Sequence, residues 1–363
     1  MIGVFFFRGI KMDNICLTEY DENASLYKKL EKVVHQKLTQ AMKEAEIGVM
    51  QIAHRIKERD SVAEKIHRKS NKYATITDMT DVVGFRIICY FSDQVNYAAK
   101  VVEDLFEINR ENSIDKRKML APTTFGYLSL HYVCTLLPEE SLNEDLLRIP
   151  FEIQIRSVLQ HTWAEIEHDL GYKSEFGVPY HIRREFSRIA GLLEIADESF
   201  INIRKNIVLY VEDVRNRIRH DTADELLLDV NTLREFTRHS AAWKDLIEKA
   251  ILVSGAEQIE TSSEEYLPQL KILGIKTLGD LKQAVFQEDV HIMTLVNDAL
   301  EYFEMDEISS NTILYYLCQS LLIWGDYTDE LTTAFFKLSD KNETRINNKM
   351  KRIKRMKEQY RKA

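Results

Sequence analysis

Cysteine is scarce. Cys16, Cys89, Cys134 and Cys318 are the four in 363 residues, and no two of them form a Cys-x2-Cys pair. That spacing excludes a zinc ribbon and a disulfide framework, and it makes a reducing cytoplasm the default compartment. Proline is scarce too. Five prolines leave few forced breaks, and with 45% apolar residues the composition describes a folded, helix-rich protein. No apolar run approaches the roughly 20 residues needed to span a bilayer, so no membrane-spanning helix is expected. The opening Met1-Ile2-Gly3-Val4-Phe5-Phe6-Phe7 is too short for a signal-peptide core, and Arg8 follows without a small-residue cleavage site. A short edge strand, a greasy tail or a true start at Met12 would each account for it.

Charge is present but unevenly placed. The net charge is -9, yet residues 341–363 hold ten Lys/Arg against two Glu, so an acidic body carries a basic tail. Such a tail is suited to RNA, a ribosome or an acidic partner, while a solvated helix end is the plainer account. The length allows two domains, or one domain with a large extension. The pattern divides into an N-terminal extension over 1–23, an α/β domain over 24–205, a helical region over 206–340 and the basic tail over 341–363. No internal repeat or low-complexity segment stands out.

The informative stretch is 149–173. Phe151, Ile153 and Ile155 alternate with Glu152, Gln154 and Arg156, the period-two pattern of a strand with one apolar face. A carboxylate, an amide and a guanidinium therefore share the other face, where charged groups are rare unless something charged lies over them. Ser157 can cap a following helix that carries His161, Glu165 and His168 on one side.

Other segments supply matching chemistry. Residues 24–49 read as an amphipathic helix with Leu26, Leu30, Val33, Val34, Leu38 and Met42 at helical spacing. A strand over Ile47–Lys57 is followed by a helix capped by Asp60 or Ser61. This corner presents Arg55, Lys57, Ser61 and Lys65 together, and a helix N-terminus with three cations suits a polyphosphate. Asp81 precedes the near-continuous apolar run Val82–Phe91, a central strand interrupted by Arg86. Ser92 or Asp93 caps a helix to about Phe106, completing a strand–helix alternation of the α/β type. After the basic loop Asp115–Lys118, Gly126 permits a tight backbone, and Tyr127, Ser129 and His131 share a face suited to stacking on a nucleobase. Packing is the more ordinary role for a sheet tyrosine. Further on, Arg183–Arg219 forms one long helix or two, and 224–340 reads as a helical bundle. Within it, Leu270–Leu281 has the look of a helix–turn–helix hairpin seen in small nucleic-acid-binding modules, with ordinary helix packing the commoner reading.

Taken in order, these motifs resemble the synthetase domain of RelA/SpoT-type alarmone synthetases, particularly the small ones without a hydrolase half. The resemblance covers roughly residues 25–205. It implies a nucleotidyltransferase-like mixed sheet flanked by helices, followed here by an all-α C-terminal region. It also implies transfer of pyrophosphate from ATP to the 3′-hydroxyl of GTP or GDP, making (p)ppGpp and AMP with Mg²⁺ as cofactor. By that resemblance Arg55, Lys57, Ser61 and Lys65 match the ATP-binding Arg-x-Lys-x3-Ser-x3-Lys pattern, and Arg86 lies close to the nucleotide phosphates. Asp81 and Glu152 match the metal-holding acidic pair, with Glu152 either base or pure ligand. Gln154 and Arg156 complete the Glu-x-Gln-x-Arg strand, Tyr127 matches the tyrosine that stacks on guanine, and His131 sits beside the acceptor. Two positions depart from the pattern. Thr123 stands where the family often has lysine, leaving Lys116, Arg117 or Lys118 to reach the same phosphate, and His54 stands where glycine commonly precedes the first arginine. Relatives with altered acceptor sites make adenosine alarmones or pyrophosphorylate the 3′ end of tRNA, and with the basic tail the tRNA version is the alternative acceptor. The C-terminal helices are expected to regulate, oligomerise or neutralise the synthetase.

Other chemistries are weaker. His161, Glu165 and His168 have ligand-compatible helical spacing, but no further ligand for a zinc site stands nearby in the sequence. His220-Asp221 has no matching upstream His or downstream Glu-Asp, so no hydrolase is expected. No elbow motif supports a serine nucleophile. A non-catalytic RNA- or partner-binding regulator is the reading of a different class, and the complete acidic pair argues against it.

Overall fold

The computed structural model describes residues 2–69, 72–118, 129–138, 143–171, 179–302 and 304–360. It forms two compact units, Met1–Arg204 and Lys205–Ala363.

In the first unit the elements run α1 (Ile2–Glu44), β1 (Val49–Ile56), α2 (Arg59–Arg68), β2 (Val83–Cys89), α3 (Gln94–Leu105) and β3 (Phe106–Asp115). They continue with β4 (Leu130–Leu136), α4 (Glu144–Leu147), β5 (Phe151–Ser157), α5 (Val158–Gly171) and α6 (Tyr180–Arg219), the unit boundary falling within α6. The five strands form one mixed sheet in the order β1-β2-β5-β4-β3, with β2 and β5 parallel and the other pairs antiparallel.

The apolar periodicity of the strands selects the sheet face that is covered. Phe85, Ile87, Phe151, Ile153 and Ile155 are buried in one cluster with Leu30, Val34, Leu38 and Met42 of α1 and Ala98 and Val102 of α3. Phe151 lies edge-on between Phe85 and Phe106, with ring centroids at 5.8 and 5.2 Å. The opposite parity, which includes Arg55, Arg86, Glu152 and Gln154, is left for the site.

Several boundaries differ from expectation. The first helix does not begin at 24. Cys16 is buried in the same core, Glu19 Oε2 accepts from the Ile76 amide at 2.7 Å, and the Tyr20 hydroxyl donates to the Lys57 carbonyl at 2.8 Å. Residues from Cys16 onward therefore belong to the first unit, because Cys16, Tyr27, Leu30 and Val34 carry one buried stripe through a polar stretch. The cap of α2 is Glu58 rather than Asp60 or Ser61. Strand β3 was hidden because it is a sheet edge with mostly exposed polar residues, the composition that blunts edge-to-edge pairing.

Ser157 caps α5 as expected, its Oγ accepting from the Gln160 amide at 3.2 Å, and it also donates to Asp197 Oδ2 of α6 at 2.5 Å. Asp197 is almost fully buried. Burial pushes its carboxyl above the usual aspartate range, with Asp93 adding to the rise and bonds from Ser157 and the Ser92 backbone opposing it.

The second unit is helical: α7 (Val230–His239), α8 (Ala241–Ser254), α9 (Leu267–Ile272), α10 (Leu278–Leu300), α11 (Ser310–Trp324), α12 (Asp329–Ser339) and α13 (Glu343–Tyr360). A two-residue parallel ladder, β6 (Glu257–Gln258) with β7 (Glu307–Ile308), ties two connections. Serine or threonine caps α8, α10, α11 and α12, each side-chain oxygen accepting a first-turn amide. Trp243, Leu270, Leu281, Leu317 and Ile323 are among its core residues. Between α9 and α10 the chain turns at Gly274, whose φ of +90° is one that side-chain-bearing residues rarely adopt. The basic stretch 341–363 is not a detached tail. Most of it is α13, which buries Ile346 and Ile353 in the bundle core and carries its charges on the outer side.

The buried Asp197 supplies a pH prediction. A carboxyl whose native pKa is raised keeps its proton in the folded state after the unfolded chain has lost it, so stability falls as pH climbs through that window. Asp197→Asn removes this titration while leaving an oxygen for Ser157. The thermal midpoint of the variant is expected to gain on wild type as pH rises above about 4. Melting curves across pH check this, and a constant gap between the two proteins would refute it.

Candidate active site

The site is built on the polar face of the sheet. Register places Gly84 of β2 between Arg55 of β1 and Glu152 of β5, and Arg86 between Ala53 and Gln154, with His131 of β4 next in the row. Because side chains alternate along a strand, Arg55 and Lys57 share this face, as do Glu152, Gln154 and Arg156. The cleft above it has a volume of about 170 Å³ and is lined by Arg55, Asp81, Gly84, Arg86, Glu152, Gln154 and Glu165, among others.

Asp81 lies just before β2, where the Lys57 amide donates to the Val82 carbonyl at 2.8 Å. This brings the Lys57 ammonium within 2.6 Å of Asp81 Oδ2, and Lys65, from the second turn of α2, donates to Oδ1 at 2.6 Å. Burial alone would raise the Asp81 pKa, but the two ammonium groups outweigh it and hold the carboxylate below its ordinary range. Burial also lowers the Lys57 pKa, against the opposing pull of Asp81. Ser61 is exposed at the first turns of α2, one turn ahead of Lys65.

Glu152 accepts two hydrogen bonds, from His131 Nδ1 at 2.7 Å and Gln154 Nε2 at 2.9 Å. Burial pushes its carboxyl up and Asp81 adds to the push, but the bonds and charge of His131 and the Gln154 bond bring it below the usual range. Arg156 is buried and donates from Nη2 to Gln154 Oε1, so Glu-x-Gln-x-Arg is a relay along one strand face. Both bonds to Glu152 end on Oε1. Among the described residues Oε2 takes none, which leaves it for a ligand.

Arg86 donates from Nη1 to Glu165 Oε1 of α5 at 2.8 Å, and His161 Nδ1 stands 3.7 Å from the same oxygen. Burial, then the charges of Arg156 and Arg86, lower the His161 pKa, with Glu165 opposing them. Glu165 is thus a partner of the strand arginine, a role that its helical spacing with His161 did not disclose. Gly84 was also missed, although a glycine inside an apolar strand run is a sign of close approach. A Cβ built there would find only Arg55 Cγ, at 4.0 Å, so the cleft floor is open because this side chain is missing.

The two departures fare differently. His54 borders the cleft, but its side chain is on the helix-covered side, its Nδ1 at 2.9 Å from Glu31 of α1 and its ring 4.5 Å from His35. Thr123 and Tyr127 lie outside the described residues, as does the Lys118 side chain. Lys116 is half-buried, its amide donating to the Ser129 carbonyl at 3.0 Å. Arg117 does not join the site: it pairs with Asp115 at 2.8 and 2.9 Å and donates to Asn96 of α3 at 2.8 Å.

Among the described residues no three His, Cys, Asp or Glu converge, so Asp81 and Glu152 stand as a pair. One or two carboxylates with waters and phosphates are what Mg²⁺ takes, so this donor set fits that ion.

Comparison with known proteins identifies the family. Residues 54–176 match the family model described as a region found in RelA/SpoT proteins. GTP pyrophosphokinase YjbM of Bacillus subtilis (strain 168) is 32% identical over 157 residues, 43% of this chain and 72% of that protein. The chain belongs to the RelA/SpoT family. A second RelA/SpoT relative, GTP pyrophosphokinase YwaC of the same organism, is 28% identical over 159 residues, 42% of this chain and 72% of that protein. A solved GTP pyrophosphokinase family protein from Streptococcus pneumoniae is 26% identical, aligning over 52% of this chain and 94% of its own with a TM-score of 0.45. As a member of the RelA/SpoT family the chain is a transferase, and the matched segment lies within its first unit.

The open floor at Gly84 is testable. Valine favours strands, so Gly84→Val is expected to fold with an unchanged melting midpoint while its branched side chain fills the cleft. Nucleotide affinity should drop by about tenfold or more, the equivalent of ~1.4 kcal/mol. Titration calorimetry checks it, and undiminished affinity would show that the nucleotide lies elsewhere.

Proposed function

We propose that the chain transfers the pyrophosphoryl group of ATP to the 3′-hydroxyl of GTP or GDP, forming (p)ppGpp and releasing AMP. The observation that carries this reading is the acidic pair Asp81 and Glu152 on a sheet face whose cleft also holds Arg55 and Arg86, with Lys57 and Lys65 on Asp81. The names of the curated relatives support the same reaction class.

In this reading the acceptor 3′-oxygen bonds to the β-phosphorus of ATP. The bond from that phosphorus to the α,β-bridging oxygen breaks, AMP leaves with the oxygen, and the acceptor hydroxyl's proton passes to Glu152 Oε2 or to water. Arg55, Lys57, Ser61, Lys65 and Arg86 bind the triphosphate and spread its charge, which is most of what phosphoryl transfer asks of a protein. Mg²⁺ held by Asp81 and Glu152 would supply a Lewis acid that neutralises phosphate oxygens. His131 and Gln154 fix Oε1 of Glu152, so Oε2 is the atom presented to the ion or to the acceptor hydroxyl. Arg156 holds Gln154 in place. By the family pattern Tyr127 is assigned to guanine, and Lys116 and Lys118 to the acceptor phosphates. Reducing cytoplasm is the compartment this reading assigns, with all four cysteines buried as free thiols. Among the described residues no helix is long and apolar enough to cross a membrane.

The test is transfer of label from ATP carrying it at the γ-phosphate, with GTP, GDP, ATP or deacylated tRNA as acceptor. Label is expected on the guanine nucleotides and is expected to vanish with EDTA. Asp81→Asn and Glu152→Gln should each slow transfer by about 10³-fold or more without loss of folding. Label on tRNA or on ATP alone would replace the acceptor. No transfer to any of the four would sink the enzymatic reading.

A further inference from the structure

The second unit has a cavity of its own, about 410 Å³ in volume, bounded by α11, α12, α13 and the entry to α9. That size lies in the range of sites for small organic ligands, roughly 300–1,000 Å³. Gln319 of α11 lines it, and this residue is only 8% exposed. Among the described residues its side-chain amide makes no hydrogen bond, and its polar atoms stay accessible from the cavity. An amide with two donors and an acceptor facing a cavity marks a place where a polar molecule fits.

The surrounding walls narrow the chemistry. Tyr266, Tyr315, Phe335 and Phe336 present aromatic surface. Burial, chiefly, pushes the Tyr266 phenol up to about 12, so it remains a hydrogen-bond donor at neutral pH. Lys349 and Arg352 line one side from successive turns of α13. Lys349 reaches Asp340 at 3.2 Å and lies over the Phe336 ring at 5.7 Å. Arg352 makes no ion pair among the described residues. Glu265 is the one acid among the lining residues, and it accepts from Asn311 at 2.9 Å. With Lys349 paired to Asp340, Arg352 is the cation on this wall left for an anionic group.

We propose that this cavity binds a small anionic molecule bearing a planar ring, with the ring against the aromatic walls, its polar edge on Gln319 and its acid group on Arg352 and Lys349. Nucleoside monophosphates and aromatic carboxylic acids both carry this chemistry. The site is separate from the sheet cleft and stands without the pyrophosphate-transfer reading.

Calorimetric titration of the full chain tests it with CMP and UMP in one arm and 4-hydroxyphenylacetate and indole-3-acetate in the other. Ribose 5-phosphate serves as the anion without a ring. One arm is expected to bind with 1:1 stoichiometry and a Kd below about 1 mM, and the arm that binds names the source. Arg352→Ala, an exposed substitution that leaves the core intact, should weaken binding about tenfold or more. Gln319→Leu should weaken it as well, while Arg55→Ala in the sheet cleft should leave it unchanged. Absence of binding in both arms would overturn the proposal. So would equal binding of ribose 5-phosphate, indifference to Arg352→Ala and Gln319→Leu, or loss of binding in Arg55→Ala.

Discussion

The parallel pairing of β2 with β5 is the constraint on which the first unit depends. Its register sets Gly84 against Glu152 and Arg86 against Gln154, while Phe85 and Ile153 meet on the other side. Since side chains alternate, a slip of one residue would carry the charged row into the core and the apolar row into water. The core and the site are therefore one decision made twice, once on each face. The α1 and α3 helices cover the apolar face, and the polar face is left for phosphate chemistry.

On that face the charges compensate one another. Lys57 and Lys65 satisfy Asp81, Arg86 is held by Glu165, and His131 with Gln154 satisfies Glu152. Except for the exposed Glu165, these ionised groups are partly buried, and leaving one of them unpaired would be strongly unfavourable. These pairings also pre-place the side chains: cations and carboxylates are already fixed before a polyphosphate arrives. That limits the reorganisation left for the reaction itself.

Much of this was legible in the amino-acid order because period-two alternation is explicit in Phe151–Arg156 and in Arg55-Ile56-Lys57. The apolar run of β2 announced a central strand, interrupted by Arg86. What could not be read were features that depend on a third element. Glu165 meets Arg86 only because α5 folds back beside β2, and the tolerance of His54 depends on α1 lying behind β1. Strand β3 was invisible because an edge strand needs no apolar signature. The open floor at Gly84 is a missing side chain, which becomes meaningful only once its cross-strand neighbours are known.

The basic segment at the end of the chain illustrates how charge counting overlooks an apolar seam. In α13, Ile346 and Ile353 are inner contacts of the bundle, with Met350, Met356 and Tyr360 packed alongside. Its lysines and arginines are the solvent coat of that seam, and two of them are already tied to Asp340 and Asp329. A chain cut after residue 340 would consequently lose a wall rather than an appendage. It would leave a greasy trough along α11 and α12, and the sticky behaviour of such a fragment would be a symptom of missing architecture, easily mistaken for the loss of a nucleic-acid grip.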